Sequence, residues 1–226
     1  MTPDAALAAL RAEADPVRAA QEAAYLKSPR EVLGLRVPRV TELATEWRQG
    51  LTIDERVALA DALWRSDIHE ARLAAAKLLT QARIRPDAGV WQLIASWVPQ
   101  FDGWALADHV SDAGGRRLVA DPSRLDEVEA WTTAPLMWQR RAALVMTLPW
   151  TKQNHPTAQD RDIRARVLGW AAAYVPDRDW FIQKAVAWWL RELSKHDAQA
   201  VRDFLADHGP AMKAFARKEA GKYLKD

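Results

Sequence analysis

The sequence predicts an all-α protein, an α-solenoid of about six antiparallel helix pairs. Three observations carry this. Apolar residues recur at helical spacing almost throughout, and no stretch alternates convincingly as a strand would. The periodic segments are roughly 11 to 17 residues long and joined by short connections. Proline and glycine fall mainly at the breaks between them.

The segments run in order as follows. Asp4 to Ala14 and Pro16 to Lys27 are separated at Asp15-Pro16. A loop, SPREVLGLRV, follows, punctuated by Pro29, Gly34 and Pro38. Pro38 to Gln49 and Ile53 to Arg65 are divided at Gly50. Ile68 to Arg83 is amphipathic and rich in Ala and Leu. Pro86 to Val98 is expected to carry its proline in the first turn, where no amide donor is needed. Gly103 to Ala113 is expected to start under an Asp102 cap and to end at Gly114-Gly115. Pro122 to Thr132 is short and acidic. Leu136 to Leu148 is apolar but contains Arg140 and Arg141. Pro149 to Pro156 reads as a loop. Ala158 to Tyr174, Asp179 to Lys195, Ala198 to His208 and Pro210 to Lys225 follow. At roughly 35 to 40 residues per pair, the arrangement is of HEAT type. No strict motif recurs, so a compact irregular helical bundle is the alternative. Residues 1–226 read as a single domain.

Composition narrows the function. The chain has 226 residues, 49% hydrophobic and 27% charged, the balance of a soluble globular protein. It has no cysteine, which excludes disulfides, thiolate zinc sites and cysteine nucleophiles. The N-terminus is acidic and helix-like, and no run approaches a membrane span, so a cytoplasmic protein is expected. Net charge is only +2, so the distribution of charge matters more than the sum. From Ala211 onward stand Lys213, Arg217, Lys218, Lys222 and Lys225 against two acids. From Tyr25 to Arg48 stand Lys27, Arg30, Arg36, Arg39 and Arg48 against three. A solvated helix face accounts for either run taken alone.

Twelve tryptophans is a high count, and most are expected in the core. The informative ones leave the apolar stripe. In FDGWALADHV, Trp104 and Asp108 are four apart and share a helix face, while Leu106 and Val110 share another. An indole thus sits beside a carboxylate on the side away from the core. Trp189 continues the apolar row of Ile182, Val186 and Leu193. Its neighbour Trp188 falls instead with Lys184, Arg191 and Lys195. That grouping suits a phosphate-bearing partner; an indole stacked under its own lysines accounts for it equally. In LMWQRRAALVMTL, at least one of Arg140 and Arg141 must lie near the apolar side, holding either an internal carboxylate or a phosphate. Trp138 and Arg141 share a face.

Other chemistry is poorly served. The five histidines show no helical pair at metal spacing, so neither metal nor cofactor is expected. Gly114-Gly115 lacks the pattern of a phosphate loop, and no serine sits on a nucleophile elbow. Glu55, Glu70 and Arg72 are expected to form surface pairs.

Five stretches together carry a resemblance: YLKSPREVLGLRVPRV, LWRSDIHEARLAA, FDGWALADHV, MWQRRAAL and WFIQKAVAWWLRE. They resemble, in order and across most of the chain, the AlkD-like DNA alkylation repair glycosylases. The resemblance implies a HEAT-like solenoid that binds duplex DNA containing alkylated purines and hydrolyses the N-glycosidic bond of purines alkylated at N3 or N7. It implies that Asp108 is the catalytic aspartate. Trp104 and Trp188 correspond to the aromatics packed around the damaged nucleotide's sugar, and Arg141 to the groove arginine near the lesion. Lys27, Arg140, Lys184, Arg191, Lys213, Arg217 and Lys218 are the cations expected to serve DNA binding. The family usually carries a further aspartate directly after the first tryptophan; here Ala105 stands there, which reads as local tuning of packing. A monomer is the default, located with the nucleoid in a bacterial-type cytoplasm.

No lysine is placed as a Schiff-base nucleophile, so no strand-cleaving step is expected. Two other readings remain at this stage. One is a HEAT-like DNA-binding protein that recognises damaged or branched DNA without hydrolysis. The other is a protein–protein scaffold. The first is disfavoured because a carboxylate repels phosphates and binding alone would not need one. The second is disfavoured by an indole among cations.

Overall fold

The computed structural model describes residues 1–224. Among them the fold is all-α, with thirteen α-helices and five short 3-10 turns. The β-type pairing among the described residues is an isolated bridge between Glu31 and Ile68. The helices are α1 (Pro3–Ala12), α2 (Pro16–Leu26), α3 (Val37–Arg48), α4 (Ile53–Arg65), α5 (His69–Leu79), α6 (Ala88–Trp97), α7 (Trp104–Ala120), α8 (Leu125–Ala130), α9 (Met137–Met146), α10 (Ala158–Tyr174), α11 (Trp180–Leu193), α12 (Ala198–His208) and α13 (Ala214–Ala220).

Caps explain the sharpest starts. The Asp15 carboxylate accepts from the amides of Val17 and Arg18, and Pro16 supplies a first residue without a donor. Thr52 with Glu55 and Thr157 with Asp160 form reciprocal capping boxes at the heads of α4 and α10. Glu55 therefore serves its own helix end and is not part of a surface pair.

Several expectations need correction. Asp102 does not cap α7; Gly103 holds that position, and the Asp102 carboxylate is taken by Arg30. Nor does α7 end at Gly114-Gly115. It runs on to Ala120, with both glycines buried inside the helix. Pro86 lies ahead of α6, outside its first turn. The stretch 149–156 contains a 3-10 turn, Leu148–Lys152. The expected last helix is broken into a 3-10 turn at Gly209–Ala211 and the short α13, and Lys225 lies outside the described residues.

The chain divides into two compact units, Met1–Asp121 and Pro122–Asp226. In the first, α3, α5 and α7 pack side by side as one layer, and α4 and α6 form the other. In the second, α9, α11 and α13 make one layer, with α10 against α12 in the other. In the first unit α5 also packs on α4, and α7 on α6, which joins the two layers in the HEAT-like manner.

The centre of the first unit is α5, buried from His69 to Ala76 and again at Leu78 and Leu79. This overturns the expected surface position of Glu70 and Arg72. Glu70 is fully buried, and its carboxylate accepts the amides of Leu33 (2.9 Å), Gly34 (2.6 Å) and Leu35 (3.2 Å). Arg72 lies 4.6 Å over the Trp64 ring and donates to the Trp64 carbonyl. Trp64 stacks on Trp97 at 4.4 Å. Arg117 is buried on α7 and donates to the carbonyls of Gln81, Ala82 and Ile84 and to Asp87. In the second unit the buried Trp189 donates to Thr147 at 3.1 Å, and Trp150 to Asp160 at 3.1 Å.

Of the twelve tryptophans, all are buried except Trp104, Trp138, Trp180 and Trp188. Two of those four are the indoles that leave the apolar stripe in the sequence.

Candidate functional site

In the first unit the site is built on the start of α7. Leu106 and Val110 are buried toward α5 and α6, while Trp104 and Asp108 are half-buried one turn apart. The helix thus presents an indole and a carboxylate on one edge. Tyr25, exposed near the end of α2, meets Trp104 edge to face at 6.0 Å. Nothing in the spacing of α2 singles Tyr25 out; its exposure is the signal, and only the fold reveals it.

The loop after α2 brings cations to this edge. Lys27 takes a left-handed backbone, φ 51°, which ends the helix and turns the chain. Lys27, Arg30 and Trp104 line one narrow cleft. Arg30 is nearly buried and clamps Asp102 and Asp67, at 2.9 Å for its contact to Asp67. Its charge is thereby neutralised, whereas Lys27 is exposed. Ala105 and Trp104 both line a recess of about 160 Å³, together with Tyr25, Leu73, His69 and His109.

Both histidines are held neutral. Burial, reinforced by Arg30, pushes His69 down to about 4. Burial and then Lys77 push His109 down to about 4. An unfolded imidazole takes its proton near pH 6.5, so between pH 6.5 and 4 the unfolded chain binds more protons than the fold. Stability therefore falls as pH falls through that window. A loss on the order of 2–4 kcal/mol in total is expected between pH 7 and pH 4. Urea midpoints across the range check this, and His69→Gln with His109→Gln should flatten the histidine part of the profile.

In the second unit α11 separates its adjacent tryptophans as the sequence implies. Trp189 is fully buried and Trp188 half-buried. Arg141, on α9, is 2% exposed; it donates to the Phe181 carbonyl at 2.9 Å and lies 6.0 Å from the Phe181 ring. Trp138 packs on the same ring at 4.6 Å. Phe181 escapes sequence reasoning because the atom that positions Arg141 is a backbone oxygen.

The remaining cations divide. Arg140 is spent on the carbonyls of Ala134 and Pro135 and on Asp177 at 3.0 Å. Arg191 is held by Glu192 and Glu219. Lys184 lies 4.6 Å over Trp180, the indole at the head of α11, and not over Trp188. Arg217 and Lys218 are exposed on α13, and Lys213 is half-buried just before it. Among the described residues no three His, Asp or Glu side chains gather as a metal site requires, and no helix is long and apolar enough to cross a membrane.

A family model described as DNA alkylation repair enzyme matches residues 6–224. Among solved structures the chain is similar to a protein described as a predicted DNA alkylation repair enzyme from Enterococcus faecalis. The TM-score is 0.79 at 22% identity, over 94% of this chain and 97% of that one. It is also similar to AlkD2 from Streptococcus mutans, with TM-score 0.64, 17% identity and coverage of 85% and 92%. The smu.31 protein from Streptococcus mutans UA159 gives 0.63, 17%, 84% and 93%. At these identities the likeness speaks for the fold. No curated protein matches the chain.

Proposed function

The chain belongs to the DNA alkylation repair enzyme family, and from that premise we propose that it is a monofunctional DNA glycosylase. Its substrate is a purine alkylated at N3 or N7 in duplex DNA. The observation that carries this is the edge of α7, where a half-buried carboxylate stands one turn from a half-buried indole.

The chemistry follows from the lesion. Alkylation at N3 or N7 makes the purine a cation, so the base can leave neutral and needs no strong general acid. Positive charge moves to the sugar as the bond breaks. Asp108 stabilises that charge and orients the attacking water. Trp104 and Trp188 exclude water, and their faces favour a cationic sugar. Arg141, anchored by Phe181, holds the strand near the lesion by a phosphate. Lys27, Lys184, Lys213, Arg217 and Lys218 supply sequence-independent attraction to the backbone. Arg140 and Arg191 support this less directly, through the geometry of the helices that they tie down. On this reading residues 1–226 are a single domain and the protein is a monomer.

The test is incubation with methylated duplex DNA. Free 7-methylguanine or 3-methyladenine with an unbroken strand is the expected product. Tight binding without base release returns the chain to the non-catalytic DNA-binding reading.

A further inference from the structure

At the opposite end of α5 from His69 lies a second recess, within the first unit. It has a volume of about 430 Å³ and is lined by Ile53, Arg56, Ile84, Arg83 and Arg85. The length of α5 sets it about 16 Å from the Trp104 end of that helix. Three of its five lining residues are arginines. Arg56 is steadied by the Leu51 carbonyl and by Gln81, neither of which carries charge. Arg83 and Arg85 are exposed. Among the described residues no carboxylate pairs with any of the three.

The nearby acids are otherwise engaged. Glu55 serves the cap of α4, and Asp87 is bound by Arg117. Asp54 is exposed and does not line the recess. Like charges gathered without a counter-charge repel, and a bound anion removes that cost. Guanidinium forks match the oxygens of phosphate in pairs. The other two lining residues, Ile53 and Ile84, are apolar, so an anion there would rest on the arginines.

We propose that this recess is a phosphate-binding site, separate from the Trp104–Asp108 edge. The phosphate comes either from a nucleic acid backbone or from a free polyphosphate, and the test tells them apart. Wild type and Arg83→Gln/Arg85→Gln are titrated with pyrophosphate, and their affinity for unmodified duplex DNA is followed across salt concentrations. Both substitutions are at exposed positions, and circular dichroism confirms that the variant folds. Pyrophosphate binding should weaken about tenfold for each guanidinium removed. If the backbone is the natural ligand, the salt slope should also fall by about two. Loss of pyrophosphate binding with an unchanged slope identifies a free phosphate ligand, and a reduced slope alone identifies the backbone. A variant that matches wild type in both measurements overturns the site. Base release by the wild type is measured separately, so failure of the glycosylase reading leaves this result interpretable.

Discussion

Asp108→Asn is expected to slow base release from methylated duplex DNA about a thousandfold under single-turnover conditions. The size comes from charge. At a separation of about 4 Å and an effective dielectric near 20, a carboxylate and a unit positive charge attract by roughly 4 kcal/mol. Asparagine fills the same space and keeps an oxygen but not the charge. The loss therefore falls on the transition state, where the sugar is positive, and not on the ground state. Affinity for unmodified duplex should be unchanged or slightly higher, since a negative charge has been removed. A variant that turns over at the wild-type rate would remove Asp108 from the mechanism. A variant that loses DNA binding together with turnover would point to a structural role.

Glu70→Ala is expected to destabilise the fold by about 3–5 kcal/mol, measured by urea unfolding. The carboxylate is the shared acceptor of three consecutive buried amides, Leu33 to Leu35. Alanine leaves all three without a partner, at about 1–3 kcal/mol each before relaxation. The turn cannot easily rearrange to find others. Gly34 has φ 86°, and a Cβ there would meet the Asp15 carbonyl at 2.5 Å and the Ala19 amide at 2.7 Å. Burial pushes the Glu70 carboxyl above the usual carboxylate range, while the amides pull it back. Glu70→Gln keeps one acceptor oxygen and should lose about half as much. The same loop carries Lys27 and Arg30 beside Trp104, so part of the damage should reach the DNA-binding edge. A loss below about 1 kcal/mol in the alanine variant would show that the loop is held by other contacts.

The parts of this structure that a reader can take from the sequence are those decided by neighbours in the chain. Asp15-Pro16 marks a helix start, and the starts expected at Ile53 and Ala158 fall where Thr52 with Glu55 and Thr157 with Asp160 cap within three residues, although the sequence places Glu55 in a surface pair. Periodicity separates Trp188 from Trp189, and Leu106 with Val110 from Trp104 with Asp108, because each pair lies on one helix. The errors have the opposite character. Glu70 looks like a surface acid because nothing near it says that a loop some 36 residues earlier turns three amides toward it. Asp102 looks like a cap because its true partner, Arg30, is 72 residues away. Arg140 and Arg191 look available for DNA, yet Asp177 from the loop after α10 and Glu219 from α13 reach them. Gly114-Gly115 reads as a stop because glycine weakens a free helix, but on α7 both are buried against neighbours. Charge partners distant in sequence were thus the illegible part, in the fold and in the candidate site alike.

The most direct measurement compares two duplexes, one carrying a cationic pyrrolidine in place of a deoxyribose and the other a neutral tetrahydrofuran. The pyrrolidine imitates the sugar at the moment it turns positive. The wild-type protein is expected to prefer it by about a hundredfold or more, and Asp108→Asn to erase that preference. Equal affinity of the wild type for both duplexes would contradict a role for Asp108 in stabilising a cationic sugar.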